Sequence, residues 1–311
     1  MLKPFSHQPG RALLIPSTTH KVVVYPTLVR FGGKELKFDV EGPVKNFTVM
    51  QDLERVCITV FSDLYRIHIL PNLEVVDAKN PKTPPYVHEV IDFGMHKKQE
   101  WEPMKKRADF QELFPIWFRL GSLLDLPQVV DQADLDQVGM YALLGDIKKA
   151  IDMHRPELII PAFYKLFLAG FSDLFVPRAV DDEHQGIALG ISDTNPLYLL
   201  TEGAKLIRSL FVTAKEDELA LLPNCPPQLF AGKLKNIETP FGLLNFEWSK
   251  KQLRTLSFFP NKSGRVHIRF PSGLKQFRLR HTMKEPGEIH LCSESLEINS
   301  NTDYLLDNFQ K

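Results

Sequence analysis

The chain has 311 residues, 43% hydrophobic and 24% charged, which suits about two folded domains and excludes a disordered chain. Its 38 Lys and Arg balance its 38 Asp and Glu, which argues against nucleic-acid binding by overall basicity. Cys57, Cys225 and Cys292 are far apart and lack Cys-x-x-Cys spacing, which argues against a disulfide framework or thiolate zinc site and for buried, reduced thiols.

Residues 1 to 19 read as an irregular arm without an apolar run of secretory type. Residues 20–97 form an expected N-terminal β-domain. Val56, Ile58 and Val60 alternate with polar neighbours, as do Ile67 and Ile69, so one sheet face meets a core and the other meets water. Gly32-Gly33, Glu41-Gly-Pro43 and Pro71-Asn72 mark turns. Asn80, Pro81, Pro84 and Pro85 suit an extended connector, and a last strand is expected over Val87–Phe93.

The period changes to helical over 98–215. Three apolar stripes carry it: Met140, Leu143, Leu144, Ile147 and Ile151; Ile159, Ala162, Phe163 and Leu166; Leu197, Leu200, Ala204, Ile207 and Phe211. Asn195 and Pro196 suit the cap and first position of the last helix, because proline's missing N–H has no helical partner there. The greasiest stretch, Ile159–Phe171, is broken by Pro161, Tyr164 and Lys165 and falls short of the ~18 residues of a membrane span. A soluble, cytoplasmic chain is expected.

Period two returns over 216–311, with Leu244, Phe246 and Trp248 on one face and Val266, Ile268 and Phe270 opposite Arg265, His267 and Arg269. The expected class is α+β and multidomain: an N-terminal antiparallel β-sandwich, a short helical middle and a C-terminal antiparallel β-sandwich.

Gly203-Ala-Lys-Leu-Ile-Arg208, Glu218-Leu-Ala-Leu-Leu-Pro-Asn-Cys-Pro-Pro227, Gly232 and Thr239-Pro-Phe-Gly-Leu-Leu-Asn-Phe-Glu-Trp248 carry a resemblance. Over about 200–260 the chain resembles the junction of helical barrel and β-domain in (α/α)6-barrel glycoside hydrolases of the α-L-fucosidase type. The resemblance implies a β–helix–β order and a carbohydrate-associated protein. Twelve helices of ~11–12 residues with loops of ~4–6 need about 190 residues. The middle holds fewer than about 120, room for about six helices, so a full catalytic barrel does not fit. The matched stretch contains none of the family's catalytic residues.

Two charged clusters are candidates for chemistry. Arg178, Asp181, Asp182, Glu183 and His184 follow an apolar run, and His96, Glu100, Trp101 and Glu102 open the helical region. Paired carboxylates with separated pKa values serve as general acid and base in glycoside cleavage. In that reading Asp181, Asp182 or Glu183 is one partner and Glu100 or Glu102 the other. Trp101, Arg119, His96, Arg178 and His184 position the ligand. The alternative is a binding or interaction protein whose acidic loops are solvated, and the shortened helical middle favours it. Arg265, Arg269, Arg278 and Arg280 form an expected basic face, either open to an acidic partner or paired with Glu288 and Glu294. The remaining histidines lack metal spacing, and phosphate-loop, dinucleotide and serine-elbow motifs are absent, so neither metal nor cofactor is expected.

Overall fold

The structure, a computed structural model, describes residues 10–16, 18–41, 43–52, 55–77, 88–94, 101–124, 140–171, 197–300 and 302–311. It divides into two units, Met1–Glu89 and Val90–Lys311.

The first unit has two four-stranded antiparallel sheets. One is β1 (Arg11–Leu14), β2 (Lys21–Tyr25), β3 (Leu28–Phe31) and β4 (Lys34–Lys37); the other is β5 (Thr48–Asp52), β6 (Cys57–Phe61), β7 (Arg66–Ile69) and β8 (Val75–Asp77). Each is a meander, strand after strand in chain order. Gly32 and Gly33 both take positive φ between β3 and β4, the geometry of a two-residue hairpin that follows the twist of its strands. Val22, Val24 and Val29 from the first sheet join Ile58, Val60, Ile67 and Ile69 from the second in one buried cluster. Alternation led us to expect a wet outer face on the second sheet. Instead Cys57, Thr59 and His68, on the face opposite Ile58 and Ile67, are also buried.

The second unit opens with β9 (Val90–Asp92), which pairs with a strand some 140 residues later. Sequence patterning assigned this strand to the N-terminal β-domain ending at 97. It belongs to the C-terminal sheet because Ile91 and Phe93 point into that core, Phe93 lying 5.9 Å from Phe211 and 6.1 Å from Trp248 between ring centres. Five described helices follow: α1 (Trp101–Arg107), α2 (Phe110–Ser122), α3 (Met140–Asp152), α4 (Pro156–Gly170) and α5 (Tyr198–Ser209). Asp109 caps α2 by accepting from the Gln111 N–H at 3.0 Å. The apolar stripes of the last three bury Leu144, Ile147 and Ile151, then Ile159, Phe163 and Leu166, then Leu200, Ala204 and Ile207. Leu197 precedes α5 in helical conformation without a side-chain cap; the expected Asn195 and Pro196 lie outside the described residues.

The strands then run β10 (Val212–Lys215), β11 (Glu218–Leu221), β12 (Ala231–Thr239), β13 (Gly242–Ser249), β14 (Gln252–Pro260), β15 (Gly264–Arg269), β16 (Gln276–Arg280), β17 (Glu288–Leu291), β18 (Leu296–Ile298) and β19 (Tyr304–Gln310). They build a seven-stranded sheet, ordered β17-β16-β19-β14-β13-β12-β9, and a four-stranded one, β10-β11-β15-β18. The small sheet is not wholly antiparallel as expected. β15 enters beside β11 in the same direction, after the chain has crossed through β12–β14 of the large sheet. Helices and both sheets share one hydrophobic core, so the expected boundary near 215 does not separate two cores.

The helices are locked by α2 against α5. A Cβ on Gly203 would lie 2.7 Å from a Trp117 ring carbon, and one on Gly121 would lie 2.5 Å from the Ala204 Cβ. The absence of both side chains lets the helices approach and seats Trp117 edge-on to Phe163 (5.6 Å, 90°) and against Phe171 (4.4 Å). Overpacking such a contact costs about 1–3 kcal/mol. Gly203→Ala is therefore expected to lower the thermal midpoint by several degrees, at about 2–4 °C per kcal/mol for a unit this size, read by circular dichroism.

Candidate functional site

Most of the charged residues singled out in the sequence, namely His96, Glu100, Arg178, Asp181, Asp182, Glu183 and His184, lie outside the described residues. Trp101 and Glu102 begin α1, with Glu102 exposed in its first turn. Arg119 is buried on α2. Buried Glu112 on the same helix accepts from Arg107 at 2.7 Å, which ties the end of α1 to the start of α2.

The C-terminal unit holds an open groove of about 720 Å³ between β15 and β18 on one side and β16, β17 and β19 on the other. Arg265, Glu288, Glu294 and Glu297 supply its charge, His281 and His290 its imidazoles, and Asn299, Thr302 and Tyr304 its neutral polar groups. Its imidazoles are held from behind. The His290 ring stacks on Phe277 (5.8 Å, 17°), placing Nε2 3.8 Å from a Glu288 carboxylate oxygen. His281 packs edge-on against Tyr304, and its Nδ1 lies 3.0 Å from the Asp303 carbonyl. A carbonyl only accepts, so Nδ1 carries the proton and Nε2 of the neutral ring is an acceptor. The Tyr304 hydroxyl accepts from the Asn299 N–H at 3.0 Å. Donors and acceptors thus converge on one hollow from five strands and their turns.

Sequence patterning marks none of His281, Glu288, His290 or Glu294 as a site. The one signal available is the polar alternation Glu288-x-His290 on a strand. What gathers these groups is sheet order, since β17 and β18 are neighbours in sequence but lie in different sheets.

The expected basic face is divided between the two sheets. Arg265 and Arg269 stand on β15, paired with Glu297 (2.9 Å) and Glu218 (3.1 Å) from the strands on either side. Arg278 and Arg280 stand on β16 and share Asp307 of β19, Arg278 through two bonds at 2.8 and 3.2 Å. The acidic partners are therefore Glu297, Glu218 and Asp307 rather than Glu288 and Glu294, because cross-strand register sets who meets whom. Arg278 first, then Arg280, holds the Asp307 carboxyl below the usual carboxylate range. A second open groove, of about 560 Å³, includes His267, Arg269 and Lys275.

In the first unit, Thr59 and His68 sit opposite each other on β6 and β7, Oγ1 to Nδ1 3.0 Å, with Cys57 Sγ 3.7 Å from the same nitrogen. Burial pushes the Cys57 thiol up to about 11, Cys225 to about 12 and Cys292 to about 11, so all three are protonated thiols at neutral pH and poor nucleophiles. Burial, with the charges of Arg55 and Arg66, lowers the His68 pKa. A second proton would put N–H groups on both ring nitrogens and bury one at Nε2, which has no hydrogen-bond partner among the described residues.

Among the described residues, no three His, Cys, Asp or Glu side chains are placed to hold a metal ion, and no helix is long and apolar enough to cross a membrane. Neither the protein-family profiles nor the curated proteins compared with the chain include a match.

Two outcomes follow from the buried charges. Removing one partner of a buried pair costs about 3–5 kcal/mol, so Asp307→Asn, which strands the buried Arg280, is expected to destabilise by about 3 kcal/mol in urea unfolding. His68 is neutral when folded, with its pKa below the ~6.5 of an unfolded chain. Its contribution is whole above that value and is lost as pH falls through the lowered folded pKa. Calorimetric unfolding from about pH 7.5 to about pH 5 is expected to show an acid loss of stability in the first unit, and His68→Leu is expected to flatten it.

Proposed function

We propose that this is a carbohydrate-associated binding protein of glycosidase-like architecture, in which the polar groove of the C-terminal unit takes the sugar. In this reading the two C-terminal sheets face each other as a sandwich, as do the two N-terminal ones, around a shortened helical middle. The observation that carries the reading is the groove's lining. A sugar hydroxyl donates and accepts at once, and a polyol is held best where carboxylates, imidazole acceptors and a guanidinium converge in a water-accessible hollow. Arg265, His281, Glu288, Glu294 and Glu297 provide that mixture. The Leu200–Pro260 stretch adds support through its resemblance to the α-L-fucosidase type of hydrolase. Binding is preferred to cleavage because the helical middle is too short for the barrel that would close around two catalytic acids.

The test is a glycan array with the full chain, followed by titration calorimetry on any sugar retained, and a parallel hydrolysis screen. Hydrogen bonds to charged groups contribute about 1.5–3 kcal/mol and neutral ones about 0.5–1.5, so Glu294→Ala is expected to weaken binding roughly tenfold or more and His281→Ala about threefold to tenfold. Retention of no glycan, or retention indifferent to both replacements, would remove the groove as the sugar site. Turnover in the hydrolysis screen would return the enzyme reading.

A further inference from the structure

The second groove, of about 560 Å³, differs from the first in the sign of its charge. None of its eleven lining residues is Asp or Glu, in a chain whose acids and bases are equal in number. The first groove has three glutamates to one arginine. Cations reach the second groove from two places. Arg269, at the end of β15, donates its Nε–H to Glu218 at 3.1 Å. A guanidinium has five N–H donors, so Glu218 offsets the charge of Arg269 and leaves most of its donors open. Lys275 is exposed and has no ion-pair partner among the described residues, so its charge is uncompensated. Its main chain is held on both sides: the N–H donates to the Gln310 carbonyl and the carbonyl accepts from the Cys292 N–H, each at 2.8 Å. His267, two residues before Arg269 and so on the same strand face, adds an imidazole. The rest of the lining is largely apolar. The Phe270 ring is fixed against Phe277 (5.2 Å) and Phe309 (5.6 Å), and Leu274 and the exposed Leu291 extend that surface.

We infer that this groove binds a small organic anion, a phosphate or carboxylate group carried on an apolar body. The oxyanion takes the open N–H donors of Arg269 and the ammonium of Lys275, and the body covers Phe270 and Leu291. A neutral polyol would leave the lysine charge unanswered, a bare ion would leave the apolar lining wet, and a cation would be repelled. Guanidinium and ammonium together suit an oxyanion, because charge-assisted hydrogen bonds are about twice as strong as neutral ones. The volume is that of a site for one small molecule. The inference stands whether or not the first groove binds sugar.

The test is isothermal calorimetry on the full chain with phenyl phosphate and phenylacetate, beside inorganic phosphate and benzyl alcohol. The tighter of the two aryl anions names the head group. It is expected to bind at least about tenfold more tightly than benzyl alcohol, which lacks the charge, and than inorganic phosphate, which lacks the apolar body. Lys275→Gln and Arg269→Gln each remove a charged donor and are each expected to weaken that anion about tenfold. Both side chains are exposed and the Arg269–Glu218 pair is a surface pair, so both variants are expected to keep the wild-type thermal midpoint within a few degrees. Lys37→Gln, which removes an exposed lysine of the first unit, is expected to leave binding unchanged. Absence of binding by both aryl anions at about 10 mM, affinity no better than that of benzyl alcohol or inorganic phosphate, or a loss no greater in the two groove variants than in Lys37→Gln would overturn the site.

Discussion

The C-terminal unit is organised by the ring of Trp248. It is buried on β13, lies 5.4 Å from Phe211 at the end of the last helix, 6.1 Å from Phe93 after β9 and 6.0 Å from Phe246, and donates its indole N–H to the Leu229 carbonyl at 2.9 Å. One side chain thus ties together the helix exit, the first strand of the unit and the loop entering β12. Tryptophan suits this position because it joins a large apolar surface to a single donor that must find an acceptor when buried. Around it the loop 222–230 is held closely: the Leu222 N–H donates to the Phe211 carbonyl and the Asn224 N–H to that of Leu210. Asn224 in turn meets His154 Nδ1 at 2.9 Å, which reaches back to the turn between α3 and α4.

Away from that ring, β16, β17 and β19 of one sheet and β15 and β18 of the other hold a groove between them, lined largely by polar side chains. Among the described residues β17 is the last strand of its sheet, and its Glu288 and His290 belong to the groove.

Electrostatics here is mostly local cancellation. Arg265, Arg269, Arg278 and Arg280 each meet a carboxylate from a neighbouring strand, so a row that reads as basic carries little free field. Exposed pairs of this kind contribute about 0–1 kcal/mol each and serve register more than stability. The buried exceptions weigh more. Glu112 and Arg280 are almost wholly covered, and losing a partner there would leave a charge in a poor solvent. In the first unit Thr59 and His68 answer each other across two strands, which is how polar side chains come to occupy a buried sheet face.

Periodicity determined the local part of this protein. The stripes through Leu144 and Ile147, Phe163 and Leu166, and Ala204 and Ile207, the alternation of Leu244, Phe246 and Trp248, and the Gly32-Gly33 turn are each written within a few residues, and the chain obeys them. Tertiary structure decided what depends on partners far away. Val90–Asp92 reads locally as the last strand of the N-terminal domain, and only the packing of Phe93 against Phe211 and Trp248 moves it to the C-terminal sheet. Cys57, Thr59 and His68 look like a solvent face until packing covers them. The groove was illegible because its residues reach it from both sheets and their turns, and nothing in local spacing records which strands will be neighbours. Hydrophobic period is a property of one segment, while a site is a property of sheet order, set by a global packing that no short stretch encodes.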